Sequence, residues 1–209
     1  MTCDGHVSRR TLLLRAQGSL LLTLPALLAP GSAHAEVGTQ QDWAYCQYCH
    51  CLFWGGDRNN MGRCTTGYHG QHAAWGYNFL LHYDSARPNG AIQYDWRYCV
   101  KCRAMFWNGD PNRKGRCAAG GAHAAQGFNF GLYTVAPNNG YYAPGQPDVV
   151  AGWRFCNKCW EVFQPADQGA TYPDPKKVGW CAAGGTHNAQ GFNFFMQFNV
   201  TMGPWVPAQ

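Results

Sequence analysis

The sequence is poor in the residues that build an ordinary aliphatic core. Beyond residue 35 it holds only 14 Leu, Ile and Val, and with 11 Phe these make 25 of 174 residues, about 14%. That is below the level at which disorder is the first suspicion. Charge is scarce as well, at 13% of the whole chain with a net +5. No basic run exceeds Lys176-Lys177, which argues against a phosphate-tracking stripe for nucleic acid. No segment after residue 35 approaches 18 consecutive apolar residues, so no helical membrane span is expected. No 3.6-residue apolar period is found there either, which argues against a helical bundle.

The missing aliphatics are replaced by rings and thiols. The 11 Phe, 11 Tyr and 9 Trp all lie beyond residue 35, together with ten of the 11 Cys. Such a composition points to a fold held by cross-links and aromatic packing. The first 35 residues read differently. Ser8-Arg9-Arg10-Thr11-Leu12-Leu13-Leu14 has the form of a twin-arginine export motif, followed by an apolar stretch from Leu20 to Leu28. Ala33-His34-Ala35 supplies a small-x-small cleavage signature before Glu36. Residues 1–35 are therefore expected to be a signal peptide, placing the mature protein in the periplasm or outside the cell. Its removal leaves 13 basic and 10 acidic residues, a net +3.

The mature chain repeats itself. Trp43-Ala44-Tyr45-Cys46-Gln47-Tyr48-Cys49, Trp96-Arg97-Tyr98-Cys99-Val100-Lys101-Cys102 and Trp153-Arg154-Phe155-Cys156-Asn157-Lys158-Cys159 each open one copy. Each copy then runs through Phe, a glycine-containing loop, Cys, Gly, His and Gly to aromatic-Asn-Phe. The first cysteines fall 53 and then 57 residues apart. The expected organisation is repeat one at 36–90, repeat two at 91–147 and repeat three at 148–209. Arg103–Trp107 and Phe192–Val200 have the aromatic, turn-bounded character of short strands. The stretches Asp57–Met61, Asp110–Lys114 and Pro165–Pro175 read as loops. About 55 residues per copy is small for an independent domain. The expectation is an all-β protein whose three repeats pack as one compact, pseudo-threefold, trefoil-like body.

Every copy supplies three Cys and a His at matching places. The sets are Cys46, Cys49, Cys64 and His72; Cys99, Cys102, Cys117 and His123; and Cys156, Cys159, Cys181 and His187. Repeat one offers both His69 and His72; His72 is chosen because His72-Ala73-Ala74-Trp75-Gly76 aligns with His123-Ala124-Ala125-Gln126-Gly127. Two thiolates at i and i+3 with a distant Cys and His make a Cys3His tetrahedral zinc set, hence about three zinc ions. The glycine pairs Gly120-Gly121 and Gly184-Gly185 let the chain turn tightly round an ion. Disulfides are the alternative in an oxidising compartment, but three Cys per copy leave an odd thiol and give the histidine no task. Cys51 belongs to neither scheme; it is a buried thiol or a pairing site for another chain.

The pattern W-R-x-C-x-K-C … G-x-C-x-A-G-G-x-H-x-x-x-G-x-x-F resembles a repeat of secreted bacterial proteins that occurs alone or beside exoenzyme domains. The likeness is carried by Trp96 to Phe130 and Trp153 to Phe194. Repeat one departs from it, with Ala44, Tyr48 and Thr65-Thr66-Gly67-Tyr68 in place of the Arg, Lys and A-A-G-G. The resemblance implies a zinc-ribbon-like unit and no defined activity.

Four protein ligands per site leave no open position for metal catalysis. No acid is common to the copies: Asp42 and Asp95 precede the Trp in two, Gly152 in the third, and Glu161 has no counterpart. A repeated carboxylate pair is thus absent. Trp54 and Trp107 follow a repeated Phe, and strand alternation sends them outward if Phe53 and Phe106 face the core. With the recurrent Asn78, Asn129 and Asn193, they are the candidate ligand-binding residues, flat rings and amides suiting a sugar. The expected function is a non-catalytic binding protein for glycan or another cell-surface polymer. The alternatives are an enzyme or thiol-redox protein with a site between repeats, and a toxin or zinc-sequestering factor.

Overall fold

The computed structural model describes residues 38–66, 68–84, 92–134, 148–166 and 175–198. The expected signal peptide lies outside them, as does most of the linkers on either side of repeat two. Nine strands fall into three triplets: β1 (Gly38–Cys46), β2 (Leu52–Trp54) and β3 (Ala74–Tyr83); β4 (Ile92–Cys99), β5 (Met105–Trp107) and β6 (Ala125–Tyr133); β7 (Asp148–Cys156), β8 (Val162–Phe163) and β9 (Ala189–Phe198). In each triplet the first strand pairs antiparallel with both others. The registers correspond, with Trp43↔Phe79, Trp96↔Phe130 and Trp153↔Phe194 as equivalent pairs. The fold is all-β; among the described residues the helical pieces are a 3-10 turn at Tyr68–Gly70 and one α-helical turn, Pro175–Val178, which begins at the end of the stretch that reads as a loop in the sequence.

The third strands join the triplets. Tyr83 pairs with Phe130, Tyr133 with Phe195, and Phe198 with Phe79, so β3, β6 and β9 close on one another. This gives a nearly closed, barrel-like sheet of trefoil-like threefold character, and the described residues form one compact unit. Fully buried Trp43, Trp96 and Trp153 fill its centre. Each sets a T-shaped contact on the next triplet: Trp43 on Phe130, Trp96 on Phe194 and Trp153 on Phe79, all with centroids 5.2 Å apart. Interlocked indoles thus replace the missing Leu and Ile, since large rings bury more area per residue than aliphatic side chains. Among the described residues, none of the three indole N–H groups has a hydrogen-bond partner.

The recurrent asparagine has a structural task. Just before each central Trp the first strand slips register, and the slipping residue takes a positive φ: Asp42 at 67°, Asp95 at 69° and Gly152 at 91°. Asp and Gly tolerate this region better than other residues, which accounts for the Asp, Asp, Gly series. The side chain of Asn78 accepts from Asp42 N at 2.9 Å and donates to Asp42 Oδ1 at 2.9 Å. Asn129 does the same with Asp95, at 2.9 and 3.2 Å. Asn193 accepts from Gly152 N at 3.0 Å. All three asparagines thus bond the first strand of their own triplet, Asn78 and Asn129 through an Asp side chain as well as the backbone.

Candidate metal centres

Each first strand runs into a tight turn that carries its C-x2-C pair. The turn closes with His50 N to Cys46 O at 2.8 Å, Arg103 N to Cys99 O at 2.7 Å and Trp160 N to Cys156 O at 2.8 Å. His50, Arg103 and Trp160 all sit at positive φ. The third cysteine heads a second turn, in which Cys117 N bonds Gly121 O at 2.9 Å and Cys181 N bonds Gly185 O at 2.8 Å. Gly120 and Gly121 have φ of 93° and 65°, Gly184 and Gly185 of 94° and 63°, as the tight wrap round an ion requires. Ala119 N and Ala183 N then point at the sulfurs of Cys117 and Cys181, both at 3.4 Å.

The predicted quartets converge. In each of Cys46, Cys49, Cys64, His72; Cys99, Cys102, Cys117, His123; and Cys156, Cys159, Cys181, His187, the ligand atoms lie within 4.8 Å of one another and all four residues are buried. His72, rather than His69, completes the first. Tetrahedral bonds of zinc length require sulfur–sulfur edges of about 3.8 Å and sulfur–nitrogen edges of about 3.5 Å. The structure places Cys46–Cys64, Cys99–Cys117 and Cys156–Cys181 at 3.9, 3.9 and 3.8 Å. Cys49–His72 Nδ1, Cys102–His123 Nδ1 and Cys159–His187 Nδ1 measure 3.4, 3.5 and 3.4 Å. The donors therefore fit a small four-coordinate ion. No disulfide joins the ten described cysteines.

The histidines also link the triplets. His72 Nε2 meets Cys102 O at 3.0 Å, His123 Nε2 meets Cys159 O at 3.0 Å, and His187 Nε2 meets Cys49 O at 2.8 Å. A carbonyl only accepts, so Nε2 carries the proton and Nδ1 is left free to coordinate. Each imidazole stacks on the phenyl ring of its own triplet, Phe53, Phe106 or Phe163, with centroids 4.5–4.6 Å apart. Every site thus bonds the C-x2-C turn of the next, and the third returns to the first.

Electrostatics agrees with a cation-binding role. Burial alone would pull the imidazoles down, but the thiolates opposite outweigh it. Without an ion, His72 and His187 stay well above the ordinary imidazole value and His123 is pushed up to about 10. Hydrogen bonds from Cys102 and Cys117 hold the Cys99 thiol far below its usual value, and Cys159 and Cys181 do the same for Cys156. These protonated imidazoles beside thiolates are the arrangement a metal displaces, releasing protons as it binds.

Cys51, Ala104 and Glu161 occupy one equivalent buried place, each forming a bridge to a neighbouring triplet. Burial pushes the Glu161 carboxyl up, against the pull of His123, His187 and His72; its Oε1 lies 3.7 Å from His123 Nε2. Cys51 Sγ lies 3.1 Å from Cys49 Sγ and 3.8 Å from His72 Nδ1. Nothing in the sequence pattern ties Cys51 to this site, because the other copies have no sulfur there.

Three grooves in corresponding positions cross the seams between triplets. In the first, Trp54 and Gln40 face Tyr98, Gln126 and Phe128 around about 210 Å³. In the second, Trp107 and Gln93 face Phe155, Gln190 and Phe192 around about 370 Å³, with Arg113 and Trp160 added to the wall. In the third, Gln164 and Val150 face Tyr45, Trp75 and Tyr77 around about 640 Å³. Trp54 and Trp107 are half-buried rather than freely exposed. Their indole N–H groups donate to Gln41 O at 3.1 Å and Tyr94 O at 3.2 Å. Gln164 donates to the equivalent Ala151 O at 2.9 Å. Gly56 and Gly109 lie so close over the two indoles that a Cβ would come within 2.3 and 2.4 Å of the rings. One side of each ring is thus covered by its glycine loop, and the ring also forms part of a groove wall. Trp75, Tyr77, Phe128 and Phe192, on the third strands, are more exposed. Sequence reasoning passed over these four, although aromatics two apart on a terminal strand were a signal.

No family model, curated protein or solved structure matches this chain.

Proposed function

We propose that this is an exported, zinc-stabilised, non-catalytic protein that binds a glycan or another surface polymer in the grooves between its triplets. The single observation that carries the reading is the recurrence, at two of the three seams, of one groove with an aromatic wall and a glutamine rim, the third seam keeping the aromatic wall but holding Val150 and Trp75 in the glutamine places. A sugar offers apolar C–H faces to rings and hydroxyl edges to amides, and a polymer offers the same motif repeatedly, so several weak sites add by avidity. Zinc is the metal best suited to buried tetrahedral sulfur and nitrogen donors. With four protein donors per ion its task is structural. The twin-arginine motif at Ser8–Leu14 supports export of a chain already folded round its metal.

The test is binding of the mature protein to cellulose, chitin and peptidoglycan, each presented as an insoluble polymer, with the Trp54→Ala/Trp107→Ala protein in parallel. Two of the three grooves carry these indoles; the third has Gln164, so it is expected to bind differently. At least one polymer should retain the wild-type protein, and the double variant should lose ten-fold or more in affinity while keeping three zinc ions. Equal binding by both proteins, or no retention by any polymer, overturns the reading.

A further inference from the structure

Beside its Cys3His quartet, site one has a further sulfur, that of Cys51, where the equivalent places at sites two and three hold none. We propose that Cys51 is a spare metal ligand that can take the place of Cys49, so that the first site keeps its ion when Cys49 is lost. The inference rests on the zinc reading and is independent of the polymer.

The geometry is specific about the mode of exchange. Cys49 and Cys51 are 3.1 Å apart, whereas two sulfurs on one tetrahedral zinc stand about 3.8 Å apart. They cannot both bind the ion without spreading, so they alternate. Cys51 stands close enough to move in: its Sγ lies 3.8 Å from His72 Nδ1, a few tenths of an ångström beyond the ideal edge of about 3.5 Å. It lies outside the set of four donors that are all within 4.8 Å of one another and must shift toward them to bind. It is as buried as the ligands themselves, which shields it from solvent reagents and from another chain. The equivalent places hold Ala104, which has no donor atom, and Glu161, whose carboxylate Oε2 instead lies 3.6 Å from the sulfur of Cys159. The spare thiolate is therefore a property of the first site alone.

The experiment counts zinc per full-length mature chain by native mass spectrometry in the wild type, Cys49→Ser, Cys102→Ser, Cys159→Ser, Cys51→Ala and Cys49→Ser/Cys51→Ala. The expected counts are three, three, two, two, three and two. A gain-of-function pair guards against misfolding: Ala104→Cys added to Cys102→Ser should restore the third ion by supplying site two with the same spare sulfur. Cys49→Ser protein that holds two ions, or that is insoluble whenever Cys102→Ser is, overturns the proposal. So does failure of the Ala104→Cys rescue in soluble protein. A wild-type chain that holds no zinc defeats the metal reading instead, and the two failures are thereby told apart.

Discussion

The seams between triplets can be tested with glycines that differ in a single respect. Gly115 has φ of 65°, and a Cβ built on it would meet Cys159 O at 2.1 Å and the Cβ of Trp160 at 2.5 Å. Gly127 has φ of 71°, and a Cβ there would meet nothing within 4 Å. Both positions share the left-handed backbone penalty for alanine, about 1–2 kcal/mol, offset by about 0.4–1 kcal/mol from the stiffer unfolded chain. Gly127→Ala should therefore cost about 1 kcal/mol. Gly115→Ala adds overpacking against the backbone of the neighbouring triplet, about 1–3 kcal/mol more. At about 2–4 °C per kcal/mol for a chain of this length, calorimetry of the zinc-loaded proteins should find Gly115→Ala roughly 2–12 °C below Gly127→Ala. The carbonyl it strikes also accepts from His123 Nε2, so zinc should leave the second site more readily. Gly62→Ala and Gly179→Ala should behave like Gly115→Ala, because they face Cys102 O and Cys49 O at 2.3 Å. Equal Tm values for Gly115→Ala and Gly127→Ala would refute the close-seam account.

Replacing His123 by Ala removes a ligand and leaves Cys159 O without its donor. Hydrogen exchange should show lost protection in the second triplet and in the Cys156–Trp160 turn of the third; loss confined to the second triplet would count against linked sites. The bulge asparagines give a graded pair. Asn129→Ala deletes two bonds to Asp95 and should cost about 1–2 kcal/mol in urea unfolding, while Asn193→Ala deletes one bond to Gly152 and should cost about 1 kcal/mol. A selective loss of polymer binding without loss of stability would instead give these residues a ligand role.

The metal quartets were legible because covalent spacing constrains them: two sulfurs in one turn, then a glycine turn, then a histidine. The all-β character was legible for a related reason, since aromatic segments between turn residues have few other ways to bury their rings. What lay across seams was not. His123 looks the same in sequence whether its Nε2 bonds its own copy or the next, and repetition hides which partner is meant. Trp54 was read outward from strand alternation, yet Gly56 folds over one side of it and Gln41 O holds its N–H. Asn78 recurs where a register slip recurs, a backbone need that by itself accounts for the recurrence. Cys51 was obscure for the opposite reason: it breaks the repeat, and only the fold reveals how near it stands to Cys49.

The histidine links also impose an order in time. His72 reaches a carbonyl 30 residues ahead and His123 one 36 residues ahead, but His187 must reach back 138 residues to Cys49. Lengthening the closing loop from 36 to 138 residues adds only roughly 1.2 kcal/mol of entropy, so the finished molecule scarcely registers the difference. The growing chain does. Two seams can close as soon as the following triplet emerges from the ribosome, while the third stays open until the last histidine is made. Distant contacts of this kind also slow folding. Cys49 and its turn, synthesised first, are therefore the last to be enclosed, and a chain stopped short of His187 keeps that seam exposed.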